Sequence, residues 1–287
     1  MHTILTHVGY RDGHAEFSTL HDTMLANHQI APGPLTLEFD TSQRYCTGWH
    51  DLASGENHVC PDGNMTEQKY EQCPACQRRT GFNPAFYHAS SVSEQQEKRN
   101  REPHFLYVAY FAPTVLKVGI SYTGRDQARL FEQGARAAMI LDTFPSALIA
   151  RQYEAIISAM DDMFEHLTSR KKRELWSHPY DAEAAHATLD ETIARINTAL
   201  NTTFTPEFID CNAHYFFGEQ PNLADVLDRT DEALISGTVV GCLGAELLVE
   251  NDGRLLSLNL KHFTGYPITI GDSIQQINLP PAQASLF

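Results

Sequence analysis

The sequence predicts an α+β fold, and three segments of different character support this prediction. Residues 41–80 are polar, rich in turns and hold four of the six cysteines. Residues 103–180 show strand patterns followed by helix patterns, and residues 236–287 contain several short β-like runs. A chain of 287 residues with 42% hydrophobic residues is long enough for one large domain or two to three small ones.

The middle of the chain predicts the element order β-β-α-β-α. Phe105–Phe111 and Leu116–Ser121 are dense in aromatic and β-branched residues, and the Ala-Pro-Thr between them indicates a hairpin. A helix is expected over residues 124–137 and a third strand over residues 139–144. A second helix is expected from Pro145, because proline suits the first helical position. Six apolar residues at three- and four-residue spacing predict its continuous buried face: Ile149, Tyr153, Ile156, Met160, Met163 and Leu167.

The flanking segments predict further elements. Residues 30–40 alternate apolar and polar side chains as a half-buried strand does, whereas the thirty residues before them show no clear pattern. Residues 181–200 predict a helix. Residues 236–270 predict a small antiparallel sheet or partial barrel, in which Asn251-Asp-Gly253 is a hairpin turn.

A polar stretch at residues 89–102 is the best candidate for a linker. With it, the chain divides into four predicted parts. They are an N-terminal β and zinc-binding segment, a central α+β domain, a helical connector and a C-terminal β domain: residues 1–88, 103–180, 181–235 and 236–287.

Four cysteines are spaced as metal ligands. The Cys73-Pro-Ala-Cys76 pair can place two thiolates on one ion, and Cys46 and Cys60 can complete a tetrahedral site. We therefore expect a structural zinc, since four protein ligands leave no position open for a substrate. His50 or His58 is close enough in sequence to replace Cys46 or Cys60.

An alternative interpretation of these cysteines is a redox-active or buried CxxC pair with two ordinary cysteines. The remaining two, Cys211 and Cys242, lie in apolar surroundings and are expected in the core. The chain shows neither a signal-peptide pattern nor an apolar run long enough to cross a bilayer. We therefore expect a cytoplasmic protein with reduced thiols and no membrane partner.

The formal net charge of −15 argues against tight non-specific binding of nucleic acid, because Lys and Arg supply most of that affinity. The charge is unevenly distributed, however. Residues 1–60 carry −5, residues 61–180 carry +1 and residues 181–287 carry −11. Fifteen of the 21 Lys and Arg lie in the middle segment, so a phosphate-bearing substrate remains compatible with the composition.

Three residues of the middle segment have the chemistry to cleave a phosphodiester. The Glu154 carboxylate would hold a divalent metal such as Mg²⁺ or Mn²⁺, Arg129 would stabilise charge on the phosphate, and the Tyr107 phenol would activate water. Gly119 lies in the second predicted strand, where a glycine lets a ligand or another backbone approach the sheet.

These residues also carry a family resemblance. The pair LYVAYF…KVGIS is similar to the two signature strands of the GIY-YIG endonuclease superfamily, with Lys117 in place of the second tyrosine and no leading glycine before Tyr107. Arg129 and Glu154 fall where that superfamily keeps its helix arginine and its metal-binding glutamate. The resemblance implies Tyr107, Lys117, Arg129 and Glu154 as catalytic residues. We expect three further residues to contact the substrate: Gly119, Arg125 and Gln133.

A longer string, HFLYVAYFAPTVLKVGIS…ARLFEQGARAA…E, resembles a bacterial family known only as a domain of unknown function, numbered 2797. The flanking CTG…CPDG…QCPAC and SGTVVGCLGAELLVENDG…LNLKHFTGY stretches agree with it. The resemblance covers most of residues 35–270.

Each of these residues also has a purely structural interpretation. Tyr107 is equally typical of a strand aromatic, and Glu154 of a solvated residue paired with Arg151 or Lys172. Arg129 could pack its stem on the sheet, and Gln133-Gly-Ala is typical of a helix C-terminus. The basic run Arg170-Lys-Lys-Arg173 suits either a solvated helix end or a sequence-independent phosphate contact.

Two functional classes follow. The first is a zinc-containing protein with a GIY-YIG-like core that binds or cleaves DNA, RNA or tRNA. The alternative is a non-catalytic adaptor that uses this core as a scaffold and binds a basic protein partner through its acidic C-terminal third. An enzyme for a small phosphorylated substrate is the third hypothesis, although the chain has no glycine-rich phosphate loop to support it.

Overall fold

A computed structural model describes residues 2–52, 54–67, 69–80 and 92–279. These residues form a mixed α+β structure with several sheets and six helices, as the fold-class prediction requires. Residues 89–91 of the predicted linker lie outside the described part. Within it, no helix combines the length and apolarity needed to cross a bilayer.

The N-terminal residues form a three-stranded antiparallel sheet that the sequence pattern did not predict. Strands β1 (Thr3–Arg11), β2 (His14–His21) and β3 (Met24–Gln29) pair in that order. Asp12 and Gly13, both with positive φ, make the two-residue turn between β1 and β2. Asp-Gly is the residue pair that such hairpin turns favour, so this turn was the available local signal. Strand β4 (Gly33–Phe39) follows and confirms the strand predicted within residues 30–40.

The cysteine-rich segment contains four very short strands that pair as β5–β8 and β6–β7. Two helices follow among the described residues, and the second occupies half of the predicted linker, with Gln96 buried. The bounds are β5 (Arg44–Tyr45), β6 (Trp49–His50), β7 (Asn57–His58), β8 (Met65–Thr66), α1 (Pro74–Thr80) and α2 (Glu94–Asn100).

The central unit has the predicted order β-β-α-β-α, followed by three short elements (β12, α5 and β13) and by the long helix α6, which confirms the helix predicted over residues 181–200. Its sheet has the strand order β12-β10-β9-β11-β13, in which β9 runs antiparallel to both β10 and β11. Helix α3 is shorter than predicted and ends at Gly134, which adopts the left-handed conformation. The bounds are β9 (His104–Ala112), β10 (Val115–Tyr122), α3 (Ala128–Gln133), β11 (Ala137–Phe144), α4 (Ala147–Ile157), β12 (Met163–Phe164), α5 (Ser169–Glu174), α6 (Ala182–Leu200) and β13 (Phe208–Ile209).

The predicted apolar face of α4 is wrong. The helix ends at Ile157, and Ile149 and Ile156 of the predicted face are 37% and 52% exposed. The buried positions are instead Ala147, Ala150, Glu154 and Ile157. Helix α4 begins after Ser146, the N-cap, so Pro145 precedes the helix. The helix therefore faces the sheet with two alanines, Glu154 and Ile157, and the predicted isoleucines lie on its outer side.

The C-terminal residues form a six-stranded sheet with the order β14-β17-β16-β15-β4-β18. The predicted Asn251-Asp-Gly253 hairpin joins β16 to β17, with Asp252 and Gly253 at positive φ. Strand β4 lies between β15 and β18, so the sheet joins two segments that we assigned to separate predicted parts of the chain. The bounds are β14 (Leu227–Asp228), β15 (Leu234–Leu243), β16 (Glu246–Asn251), β17 (Arg254–Asn259) and β18 (Ile268–Gly271).

Strand β9 lies between two hydrophobic cores, and all nine of its residues are buried. Tyr107 and Phe111 face the larger core, which includes residues of the N-terminal and C-terminal sheets. Leu106 and Val108 face the smaller core beneath α4 and α6. A strand covered on both faces reads as a continuous hydrophobic run, which explains the dense aromatic pattern of this segment.

Candidate metal centre and charged cluster

The four predicted cysteine ligands lie together. Cys46 follows β5, Cys60 follows β7, Cys73 comes immediately before α1, and Cys76 lies in its first turn. Their sulfur atoms are all within 4.8 Å of one another, and all four residues are buried. They therefore form one group, which excludes the alternative of a CxxC pair with two unrelated cysteines.

The geometry fits a tetrahedral metal. Zinc–sulfur bonds of about 2.3 Å place neighbouring sulfurs about 3.8 Å apart, and the Cys60 and Cys73 sulfurs are 4.0 Å apart. The N–H groups of Cys73 and Gly48 donate to the Cys46 sulfur at 3.1 and 3.4 Å. Such donors stabilise a thiolate, the form of cysteine that binds metal. The group can therefore hold one ion with no position left open.

The pKa of Cys73 is lowered, whereas burial raises the pKa of Cys76 and raises that of Cys46 to about 11. Burial alone would also raise the pKa of Cys73, but hydrogen bonds from the Cys76 N–H and the Asn64 side chain lower it to about 6. Asn64 Nδ2 donates to the Cys73 sulfur at 3.5 Å. One thiol of the group is therefore prepared to lose its proton near neutral pH.

The two histidines considered as replacement ligands have other contacts. His50 Nδ1 lies 2.9 Å from Asn57 Oδ1, and the His58 ring stacks on Trp49 with centroids 4.1 Å apart. Gly48 is required at the turn after Cys46, since its φ is +90° and a Cβ there would lie 1.9 Å from the His58 carbonyl oxygen. The ligand group among the described residues is thus cysteine only.

The metal segment, which we define as residues 44–80, is hydrogen-bonded to the connection between β17 and β18. The Tyr45 N–H donates to the Gly265 carbonyl and the Arg44 Nε to the Thr264 carbonyl, both at 2.7 Å. The Arg44 guanidinium also lies over the Tyr266 ring, 5.4 Å from its centroid. These contacts join the cysteine-rich segment to the C-terminal part of the chain.

The second site is a charged cluster on the central unit. Tyr107 of β9 and Gly119 of β10 are register partners, and the tyrosine ring lies across the glycine. A Cβ on Gly119 would lie 2.4 Å from the Tyr107 hydroxyl oxygen, so only glycine fits there. Tyr107 is 1% exposed, and its hydroxyl hydrogen-bonds Arg129 of α3. Burial raises the pKa of Tyr107, and the Arg129 charge opposes that rise.

Arg129 is positioned by Gln133, one turn further along α3. With the Gln133 amide oriented to pair its oxygen with donors, that oxygen accepts from both terminal guanidinium nitrogens at 2.9 Å. Arg125 lies at the outer edge, exposed and paired with Glu132. Gly134 caps α3, which confirms the helix C-terminus expected at Gln133-Gly-Ala.

Glu154 points into the cluster from α4. It is 4% exposed and forms an ion pair with Arg151, so the interpretation as a solvated residue is wrong, although the Arg151 pairing is confirmed. Burial raises the pKa of Glu154, and the Arg151 and Lys117 charges oppose that rise. The structure thus brings six of the seven substrate and catalytic candidates together and leaves Arg125 at the rim.

Lys117 of β10 belongs to the cluster, since the charges of both Arg129 and Glu154 act on it. It is 8% exposed and donates to the main-chain carbonyls of Glu165 and, at 3.4 Å, Val118. Burial and the Arg129 charge lower the pKa of Lys117, and the Glu154 charge opposes this shift. An ammonium group therefore stands where the resemblance would place a second tyrosine.

Lys172 also belongs to the charged cluster, and the sequence analysis did not predict this position for it. Its Nζ donates to the Gln133 main-chain carbonyl at 2.6 Å, and burial together with the Lys117 and Arg129 charges lowers its pKa to about 8. The only available signal was the basic run at residues 170–173, which does not show which residue turns inward.

Comparison with known proteins identifies a family for this chain but no function. No curated protein and no solved structure matches the chain significantly. Residues 36–268 match the model of a family described as Protein of unknown function (DUF2797). This span includes the metal segment, the charged cluster and most of the C-terminal sheet. The chain therefore belongs to the DUF2797 family.

Proposed function

We propose that this protein binds nucleic acid and that its β-β-α-β-α unit is a GIY-YIG-like, metal-dependent phosphodiesterase. The observation that carries the proposal is the convergence of four side chains from four separate elements. Tyr107 comes from β9, Lys117 from β10, Arg129 from α3 and Glu154 from α4, and their charges influence one another. Titratable groups with perturbed pKa values in one cluster are typical of functional sites.

Each residue has a role in this proposal. Arg129 and Lys117 bind the phosphate, and Glu154 supplies a carboxylate oxygen, the ligand type that Mg²⁺ and Mn²⁺ prefer. The pKa of Tyr107 is raised, so its hydroxyl is protonated at neutral pH and serves the attacking water as a hydrogen-bond partner. Glu154 is paired with Arg151 in this arrangement, so a substrate phosphate must draw Arg151 away before Glu154 can bind a cation.

The cysteine group supports a structural zinc in the same proposal. A thiolate-only set of four suits zinc, and it leaves no open coordination position for a substrate. The zinc would hold the 44–80 segment against residues 264–266, to which Arg44 and Tyr45 are attached. The chemistry is thereby assigned to the charged cluster and not to the zinc.

A nuclease assay tests the catalytic role. Purified protein is incubated with DNA, RNA and tRNA in the presence of Mg²⁺ or Mn²⁺, beside Glu154→Gln and the exposed control Glu191→Gln of α6. We expect metal-dependent cleavage that Glu154→Gln reduces about a hundredfold or more and Glu191→Gln leaves unchanged. Equal cleavage by the wild type and Glu154→Gln would remove Glu154 from the mechanism.

A second candidate is a non-catalytic adaptor. The observation that favours it is the covered state of the cluster, in which Tyr107 is 1% exposed and Glu154 is neutralised by Arg151. The net charge of −11 on residues 181–287 suits a basic protein partner. Fluorescence anisotropy with labelled DNA, RNA and tRNA at low salt separates the candidates, since the adaptor should bind none of them.

A further inference from the structure

The basic run at the end of α5 is divided among different environments. Arg170 and Lys171 lie at the surface and pair with Glu174, at 3.3 and 3.5 Å. Arg173 pairs with Asp228 of β14. Lys172 alone turns into the charged cluster, where its Nζ lies 5.3 Å from the centroid of the Phe111 ring. The run is therefore neither a uniformly solvated helix end nor a uniform basic patch.

Lys172 is half-buried and Lys117 is buried, and neither is paired with an acidic side chain in the described part of the chain, which is unusual for such lysines. Neither has a carboxylate oxygen within 4.0 Å among the described residues, and both are held by main-chain carbonyls. Buried charges are normally paired, because an unpaired charge in a low-dielectric surrounding is costly. Two such ammonium groups beside a guanidinium indicate a place for an anion.

Gln133 sets the spacing of this place. Its main-chain oxygen accepts from Lys172, and its side-chain oxygen accepts from Arg129. One residue thus positions two cations, from α3 and from the loop-flanked helix α5, while Lys117 adds the third from β10. The charge of Lys261 also lowers the pKa of Lys172, and the charge of Glu246 raises it.

Glu246 does not neutralise the cluster. Its carboxylate is 6% exposed on β16, accepts from Asn259 Nδ2 at 2.7 Å, and lies 4.0 Å from Arg173. Its second oxygen, Oε2, has no hydrogen-bond partner in the described structure. Glu246 is the acid whose charge raises the pKa of Lys172, but its carboxylate contacts Asn259 and Arg173 instead of Lys172.

We propose that Lys172 is a phosphate-binding residue, and that Lys117, Arg129 and Lys172 together hold one phosphate group of a nucleic-acid backbone. This inference rests on the proposed function and names a residue of the site that the GIY-YIG resemblance does not supply. Three cations around a phosphate give a contact with the backbone that is independent of base sequence. Lys172 thereby holds the substrate from α5 while β10 and α3 hold it from the central unit.

Fluorescence anisotropy on a labelled DNA duplex tests this, with dissociation constants measured at several salt concentrations. The variants are Lys172→Met and Lys171→Met, which remove one charge from neighbouring positions of the same helix. We expect Lys172→Met to bind about tenfold more weakly, with the salt dependence reduced by about one phosphate contact. Lys171→Met should stay within about twofold of the wild type, because Lys171 is exposed and pairs with Glu174.

Lys172→Arg separates binding from folding, since it keeps the charge and should recover most of the affinity lost in Lys172→Met. If both Lys172 variants lose affinity equally with an unchanged salt slope, the residue is structural and the inference fails. Unchanged affinity and slope in Lys172→Met, with a wild type that binds, also overturns the inference but leaves the proposed function standing. A wild type that binds no duplex, RNA or tRNA removes both.

Discussion

At the scale of single residues, burial decides what a charged side chain does in this protein. Lys171 and Lys172 are neighbours in sequence, yet one pairs with Glu174 at the surface and the other enters the cluster. Glu154 and Glu246 are both buried carboxylates with raised pKa values. Burial disfavours the charged form of each group, so ionising either carboxyl in the folded protein costs more free energy than in water.

Replacing Gly119 with alanine should destabilise the protein by roughly 1–3 kcal/mol, because the added Cβ would lie 2.4 Å from the buried Tyr107 hydroxyl. Urea unfolding measures the change in free energy. Gly271→Ala in β18 is the matched control, since the nearest atom to its Cβ would be 3.6 Å away. Equal stability of both variants would show that the Tyr107–Gly119 contact is not tight.

Glu246→Gln should stabilise the protein at high pH. Burial raises the pKa of Glu246 from 4.5 to about 7, so the folded chain keeps a proton that the unfolded chain has already lost. The contribution of Glu246 to stability therefore falls as the pH rises from about 4.5 to about 7 and then stays constant. We expect the variant to be more stable by roughly 3 kcal/mol at pH 8 and nearly equal at pH 4.

Thermal unfolding at several pH values measures this difference. Glu250→Gln, at an exposed position of the same strand, should show no such pH dependence. A gap between Glu246→Gln and the wild type that does not widen with pH would contradict the assignment of a proton to the folded state.

At the scale of elements, local patterns predicted strands and turns better than helix faces. The runs that became β9 and β10, and the Asn251-Asp-Gly253 turn, depend on residue types next to one another in sequence. Helix α4 was predicted to bury Ile149 and Ile156, which are exposed, whereas Glu154 is buried. A periodicity counts apolar residues, but it does not show that a charged residue such as Glu154 can be buried when an arginine of the same helix pairs with it.

Metal content tests the cysteine-rich element. The purified protein should contain one zinc per chain, and Cys76→Ala should lose it, because removal of one thiolate breaks a four-ligand site. Inductively coupled plasma mass spectrometry gives the metal-to-protein ratio. The matched control is Cys211→Ala, since Cys211 is a buried cysteine outside the group. A wild type that holds no metal after growth in zinc would overturn the zinc assignment.

At the scale of the whole molecule, the C-terminal sheet is completed by a strand from the beginning of the chain. Leu37 of β4 is fully buried and pairs with Ile235 of β15 on one side and Ile270 of β18 on the other. The N-terminal sheet also contacts this region, since the Leu5 N–H donates to the Tyr266 carbonyl at 3.1 Å. Folding of residues 234–271 therefore depends on residues two hundred positions earlier.

Leu37→Ala should cost roughly 2–5 kcal/mol and weaken the whole sheet, since it leaves a cavity in the larger core at a strand that pairs with both β15 and β18. Amide hydrogen exchange should show lost protection in residues 234–243 as well as in 33–39. Leu25→Ala on β3 is the control, because that side chain is 41% exposed. Loss of protection confined to residues 33–39 would mean that β4 is only loosely associated with the sheet.

The sequence by itself predicted the group of four cysteines, the central strands and the hairpin turn, because each depends on residue types and their spacing. It also named most members of the charged cluster through a resemblance. Only the tertiary structure decided that β4 lies between β15 and β18, that Glu154 is buried, and that Lys172 faces Gln133. These features arise from packing between distant segments, and a linear pattern holds no record of which segments meet.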